Sequence, residues 1–183
     1  MNKLFALLIN ILLTLTSLAY PLGWLLLSSR QELTVLVLIM AILWAFKAIQ
    51  AVNLARYFAI FMTALLAFIY LSQNLGTMFW YPIIINGMLL ATFGASLFSS
   101  QSLVERLARL KTPDLPTQAV LYTRKVTQIW CGFFIFNIIV CAVLIAIQNY
   151  QWWAIYTGGI SYGLMGVLMV GEWLVRQKVI KNG

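Results

Sequence analysis

Six times along the chain, apolar residues run to about the length a helix needs to cross a bilayer, and only short joints separate most of the runs. A transmembrane helix takes roughly 20 predominantly apolar residues to cover ~30 Å of hydrocarbon, where each backbone N–H and C=O must be satisfied within the protein. The runs fall at 4–27, 33–51, 57–71, 78–98, 126–147 and 152–175. The second holds only 14 residues, Leu33 to Phe46, before Lys47, so it spans only by extending through Ala51 while Lys47 snorkels toward the headgroups. The first contains Tyr20-Pro21 and outlasts the apolar core of a secretory signal, with no small-residue cleavage motif around Leu18 to Leu22, and reads as a retained span. The expected fold is all-α, a polytopic transmembrane helical bundle of six spans occupying residues 1–183 as a single transmembrane domain.

Composition agrees and removes much chemistry. Of 183 residues, 63% are hydrophobic and 9% charged, far below the ~25% charge with which a soluble domain wets its surface. There is no His, which excludes a Ser-His-Asp triad, a Cys-His pair, a His metal ligand and an imidazole pH switch. Cys131 and Cys141 lie ten apart in one apolar run, about 15 Å along a helix, too far to bridge, and read as small buried hydrophobes. No metal-ligand spacing, Gly-rich phosphate loop or internal repeat is present, and no cofactor is expected.

Lys and Arg are retained on the cytoplasmic side of membrane proteins. With the N-terminus inside, Lys3; Lys47 and Arg56; Arg106, Arg109, Lys111, Arg124 and Lys125; and Arg176, Lys178 and Lys181 all fall on that side, eleven of the twelve basic residues. Only Arg30, beside Glu32, lies outside, and a five-span model without the second run would mix the sides. Both termini of this multi-pass chain are therefore expected in the cytoplasm. The net charge of +8 marks topology before it marks binding. Nucleic acid is not an expected partner, because the aromatics lie within spans or at their ends. Trp80, Tyr81, Tyr150, Trp152 and Trp153, at the outer ends of spans four to six, read as an interfacial belt.

The one sizeable polar stretch runs from Ser99 to Lys125. Ser102-Leu103-Val104-Glu105 has the form of a capping box, and Leu103, Val104, Leu107 and Leu110 share a face apart from Glu105, Arg106 and Arg109. This predicts an amphipathic helix over about 102–111 on the inner membrane surface, ended by Pro113 and Pro116. Arg106, Arg109, Lys111, Arg124 and Lys125 form its candidate surface for anionic headgroups or a cytosolic partner, each well-placed base worth ~1 kcal/mol at a lipid surface. Asp114, with bases on both sides, is expected to fold the loop through a salt link.

Polar groups within spans are the other candidates. Asn86, four residues after Pro82, is placed to make an interhelical hydrogen bond at a proline kink or to touch a polar headgroup. Asn86, Gln128, Asn137 and Glu172 together are the candidate binding residues, and a polar path would require all four to face one cavity. Glu172 is also four residues before Arg176, the spacing of an intrahelical ion pair. Gly158, Gly159, Gly163 and Gly166 make the sixth span small-faced, suited to close helix packing and homo-oligomer formation.

From Tyr81 onward the chain resembles a family of small bacterial inner-membrane proteins encoded with aryl-polyene or related fatty-acid and polyketide assembly enzymes. The resemblance rests on Tyr81 to Asn86, Ser102 to Leu110, Pro113-Asp114-Leu115-Pro116, Tyr122 to Cys131, Phe133 to Asn137 and Gly171 to Arg176, a little over half the chain. A more distant similarity, in length, basic loop and a Phe-Phe pair followed by Asn, is to the intracellular septation protein A family, associated with the cell envelope. Members of the first family are sometimes labelled ketosynthase, yet such condensing enzymes need an active Cys with His partners, and this chain has no His. The resemblance implies a non-enzymatic inner-membrane accessory protein for envelope lipid or aryl-polyene biosynthesis, which scaffolds membrane-associated acyl or polyene assembly enzymes or hands over their lipid-like product. A small lipid or polyene carrier, or a flippase-like transporter, is the alternative. Membrane lipids and assembly enzymes are the expected partners.

Overall fold

The computed structural model describes residues 3–26, 29–110 and 112–181, and among these the regular structure is helical throughout. The α-helices are α1 (Lys3–Leu26), α2 (Arg30–Gln50), α3 (Asn53–Ser72), α4 (Tyr81–Leu97), α5 (Leu103–Arg109), α6 (Thr117–Ala146), α7 (Tyr150–Ile155) and α8 (Ser161–Lys181). A 3₁₀ segment, Leu75–Trp80, leads into α4, and a π-helical turn, Tyr156–Ile160, separates α7 from α8. Six helical stretches are long and apolar enough to cross a membrane: Leu4–Leu26, Gln31–Gln50, Ala55–Ser72, Leu75–Leu97, Thr117–Ala146 and Tyr150–Arg176. The chain is accordingly a multi-pass membrane protein. Where hydropathy alone suggests one domain, contacts divide the chain into two compact units, Met1–Phe79 with Asn149–Gly159, and Trp80–Gln148 with Ile160–Gly183.

In the first unit, α2 and α3 pack most extensively, followed by α1 and α2. The buried residues recur at helical spacing: Leu33, Val37 and Met40 on α2, and Ala59, Met62, Leu66 and Ile69 on α3. Ile60, Phe61, Phe68 and Leu71 are exposed on the rest of α3, as lipid contact requires. Because lipid tails are as apolar as these side chains, close packing holds the pair together in place of escape from water. The α2 helix has 21 residues, about 32 Å, so the span that looked short before Lys47 is long enough. Lys47 reaches α1, where its Nζ donates to Asn10 Oδ1 at 2.6 Å. The α1 helix continues through Pro21, and Leu22 on it meets Gly158, where a Cβ would lie 2.9 Å from Leu22 Cδ2.

The aromatic belt divides. Trp80 and Trp152 are exposed, whereas Tyr81 and Trp153 are buried. Trp153 lies about 100° round the helix from Trp152, and that rotation turns it inward. Trp153 instead joins Phe79, Trp24 and Tyr150 in a ring cluster, with Phe79 stacked on Tyr150 at 4.1 Å and edge-on to Trp24 at 4.8 Å and Trp153 at 4.9 Å.

In the second unit, α4 packs along α6, with Phe93, Trp130 and Phe134 in mutual ring contact. The 30 residues of α6 are about 45 Å long, well beyond the ~30 Å hydrocarbon layer. Its first turns, Thr117 to Lys125, are therefore a helical extension where the sequence suggested loop. Pro116, extended at φ −64° and ψ 154°, starts it, since proline is tolerated at a helix start but not within. The sixth span, expected to be one helix over 152–175, begins at Tyr150, with Asn149 Oδ1 accepting from the Trp152 N–H at 3.2 Å as its N-cap, and is interrupted by the π-helical turn.

Candidate functional site

The polar residues concentrate where α4, α5 and the N-terminal extension of α6 meet in the second unit. Ser96, in the last turn of α4, donates to the Phe93 carbonyl at 2.6 Å and accepts from the Leu103 N–H at 2.8 Å, which ties the start of α5 to the end of α4. Ser102 is the N-cap of α5, its Oγ accepting from the Glu105 N–H at 3.4 Å, as the capping-box spacing predicts.

The rest of α5 differs from the expected amphipathic helix. Ser102, Glu105 and Arg109 follow helical spacing, and this face turns inward: Ser102 is 1% exposed and Glu105 4%. The Glu105 carboxylate is gripped through Oε1 by Arg109 Nε and Nη2, both at 2.9 Å, while Arg109 Nη1 donates to the Pro113 carbonyl at 2.8 Å. The supposed apolar face splits: Leu103 and Val104 are half-buried, whereas Leu107 and Leu110 are exposed. Packing against α6 takes precedence over amphipathicity because the ion pair and cap satisfy Glu105 and Ser102 inside, leaving Leu107 and Leu110 at a surface where lipid can cover them.

The basic residues divide as well. Arg106 Nη2 donates to Ser99 Oγ at 2.8 Å and its Nε to the Gln101 carbonyl at 3.1 Å. Arg124 Nη2 donates at 2.6 Å to the Leu97 carbonyl, a free acceptor at the C-terminus of α4 where cations are favoured. Arg106, Arg109 and Arg124 thus brace the corner, Arg109 half-buried, while Arg106 and Arg124 keep the exposure expected of surface cations. Lys125 is exposed, and Lys111 lies outside the described residues. Asp114 is exposed and makes no ion pair among the described residues, while Arg109 pairs with Glu105.

The four polar residues expected to line a path are not brought together. Asn86 donates from Nδ2 to the Pro82 carbonyl of its own helix at 2.8 Å. Among the described residues it makes no interhelical bond at a kink, and Pro82 lies in the first turn of α4, where its missing N–H has no partner to lose. Gln128 is exposed and Asn137 buried; nine residues apart on α6, they are about half a turn out of phase and face opposite ways. Asn137 Nδ2 donates to the Phe133 carbonyl at 3.0 Å, and its Oδ1 accepts from Ser161 Oγ of α8 at 2.7 Å. Glu172 pairs with Arg176 at 3.6 Å, as the spacing predicts, and its backbone carbonyl accepts from the Tyr122 hydroxyl at 2.9 Å. Asn137 and Glu172 therefore act as separate ties between α6 and α8.

Residues with consequences that composition did not single out are Ser96, Glu105, Tyr122 and the Asn10–Lys47 pair. A Glu four positions before an Arg was the available signal for Glu105. Among the described residues no cluster of Cys, Asp or Glu could hold a metal, and Cys131 and Cys141 are free thiols on one helix. Gly159, Gly163 and Gly166 have nothing within 4 Å of a Cβ built on them, so that small face packs against nothing in the described chain. The chain matches no protein-family model, no curated protein and no solved structure.

Proposed function

We propose that this multi-pass protein is a non-enzymatic accessory of the bacterial inner membrane, with both termini in the cytoplasm, that serves envelope lipid or aryl-polyene biosynthesis by docking acyl or polyene assembly enzymes. The observation that carries this reading is the braced corner of α4, α5 and α6. Its internal hydrogen bonds spend three arginines on holding a seven-residue helix in place, a length that would not persist alone. Left exposed on these elements are Leu107 and Leu110 of α5, and Leu121 with Lys125 one turn on along α6, apolar and basic side chains suited to an interfacial contact. The positive-inside asymmetry supports a cytoplasmic position for this corner, where such enzymes work. The family resemblance from Tyr81 onward supplies the biosynthetic context.

The test is affinity purification from native membranes with protein mass spectrometry, comparing wild type with Lys125→Glu/Leu110→Asp. Neither residue braces the corner, so folding is preserved. An acyl or polyene assembly enzyme that co-purifies with wild type and is lost from the variant supports docking. Equal recovery from both, or from neither, overturns it. The carrier alternative finds no support in the separate placements of Asn86, Gln128, Asn137 and Glu172.

A further inference from the structure

The first unit carries a feature the docking corner does not use, a groove of about 480 Å³ between α1 and α2. It exists because α1 places small residues, Ala19 and Gly23, one turn apart where Leu36 and Ile39 of α2 approach. Ala19 to Leu26 and Glu32 to Ile39 each cover seven steps, so the groove is about 10 Å long, running inward from the α1–α2 joint. Its lining is apolar with one exception, Glu32, at the end of the second span, which is the level of lipid headgroups.

Glu32 is exposed and makes no ion pair among the described residues, unlike Glu105 and Glu172. Its backbone N–H is bonded by Ser29 Oγ at 3.2 Å, which fixes the residue in the first turn of α2. A carboxylate at the mouth of an apolar slot complements an amphiphile with a cationic head and a hydrocarbon tail, and repels an anionic one.

We infer that this groove is a binding site for an amine-headed phospholipid, its ammonium on Glu32 and one acyl chain against Ala19, Gly23, Leu36 and Ile39. The site is independent of the docking corner, which lies in the other unit, so either proposal can fail alone.

The test is native mass spectrometry of the full chain released from nanodiscs of equal parts phosphatidylethanolamine and phosphatidylglycerol. Wild type retains phosphatidylethanolamine in about fivefold excess, the effect of one charge contact near a lipid surface. Glu32→Gln keeps the capping-box pattern and removes only the charge, so the excess disappears while lipid is still retained. Ala19→Trp fills the slot at an exposed position and lowers retention of both lipids. Equal retention of the two lipids by wild type, an excess unchanged in Glu32→Gln, or crosslinks from Leu36 to a second copy of the chain in place of lipid would each overturn the assignment.

Discussion

Arg109→Ala probes the corner at its most buried charge. Glu105 is 5% exposed at its side chain, and both contacts to its Oε1 come from the Arg109 guanidinium, so the substitution strands a carboxylate inside the α4–α5–α6 junction. Breaking a buried pair from one side costs ~3–5 kcal/mol. The Arg109 side chain keeps 30% exposure, so water enters the space it leaves and lowers the cost to about 2–3 kcal/mol. Glu105→Gln retains an acceptor and loses only the charge assistance, about 1 kcal/mol. Replacing both residues with Leu recovers much of the loss, since no charge remains buried. With only seven residues in α5, the effect appears as local opening before global unfolding. Hydrogen exchange in nanodiscs reads it directly: protection of the Glu105 and Arg106 amides falls about thirty- to a hundred-and-fiftyfold in Arg109→Ala. Raising the salt leaves wild-type protection nearly unchanged, because a pair this buried is poorly screened. Protection in Arg109→Ala within twofold of wild type, or strong salt sensitivity of wild type, would refute the buried-pair account.

Three further outcomes follow from local geometry. Gln148 holds a left-handed backbone at φ 55° with no Cβ-compatible preference, so Gln148→Gly is neutral to stabilising while Gln148→Val costs about 1 kcal/mol, read as opposite shifts in melting temperature in detergent. Gly158→Ala drives a Cβ to 2.9 Å from Leu22 Cδ2 and destabilises by about 1 kcal/mol, whereas Gly159→Ala meets nothing and does not; equal melting temperatures for the two would contradict the close approach. Ser161→Ala removes the 2.7 Å bond to Asn137 and costs ~0.6–1.7 kcal/mol, the range of membrane hydrogen bonds, measured by unfolding in mixed micelles; no loss would show that α6 and α8 do not depend on it.

The number and approximate position of the spans were legible because the hydrocarbon layer imposes one length on every crossing, and a run of apolar residues records it without reference to neighbours. Local end signals were equally readable: the Ser102 cap and the Glu172–Arg176 spacing depend only on residues within one turn of each other. Most of the assignments that changed concern facing. Whether Glu105 or Leu107 turns toward α6, whether Trp152 or Trp153 meets lipid, and whether Gln128 and Asn137 share a side are questions of helix rotation. A span is apolar on every face, so its stripe is nearly silent, and on the short α5 the capped ion pair outweighs the stripe that was legible. The primary sequence thus determined that this chain is a six-span helical membrane protein without histidine chemistry. Tertiary packing alone decided that its arginines brace a corner, that its span amides tie separate seams, and that Ala19 and Gly23 leave a groove beside Glu32, because those outcomes depend on which side of each helix meets another.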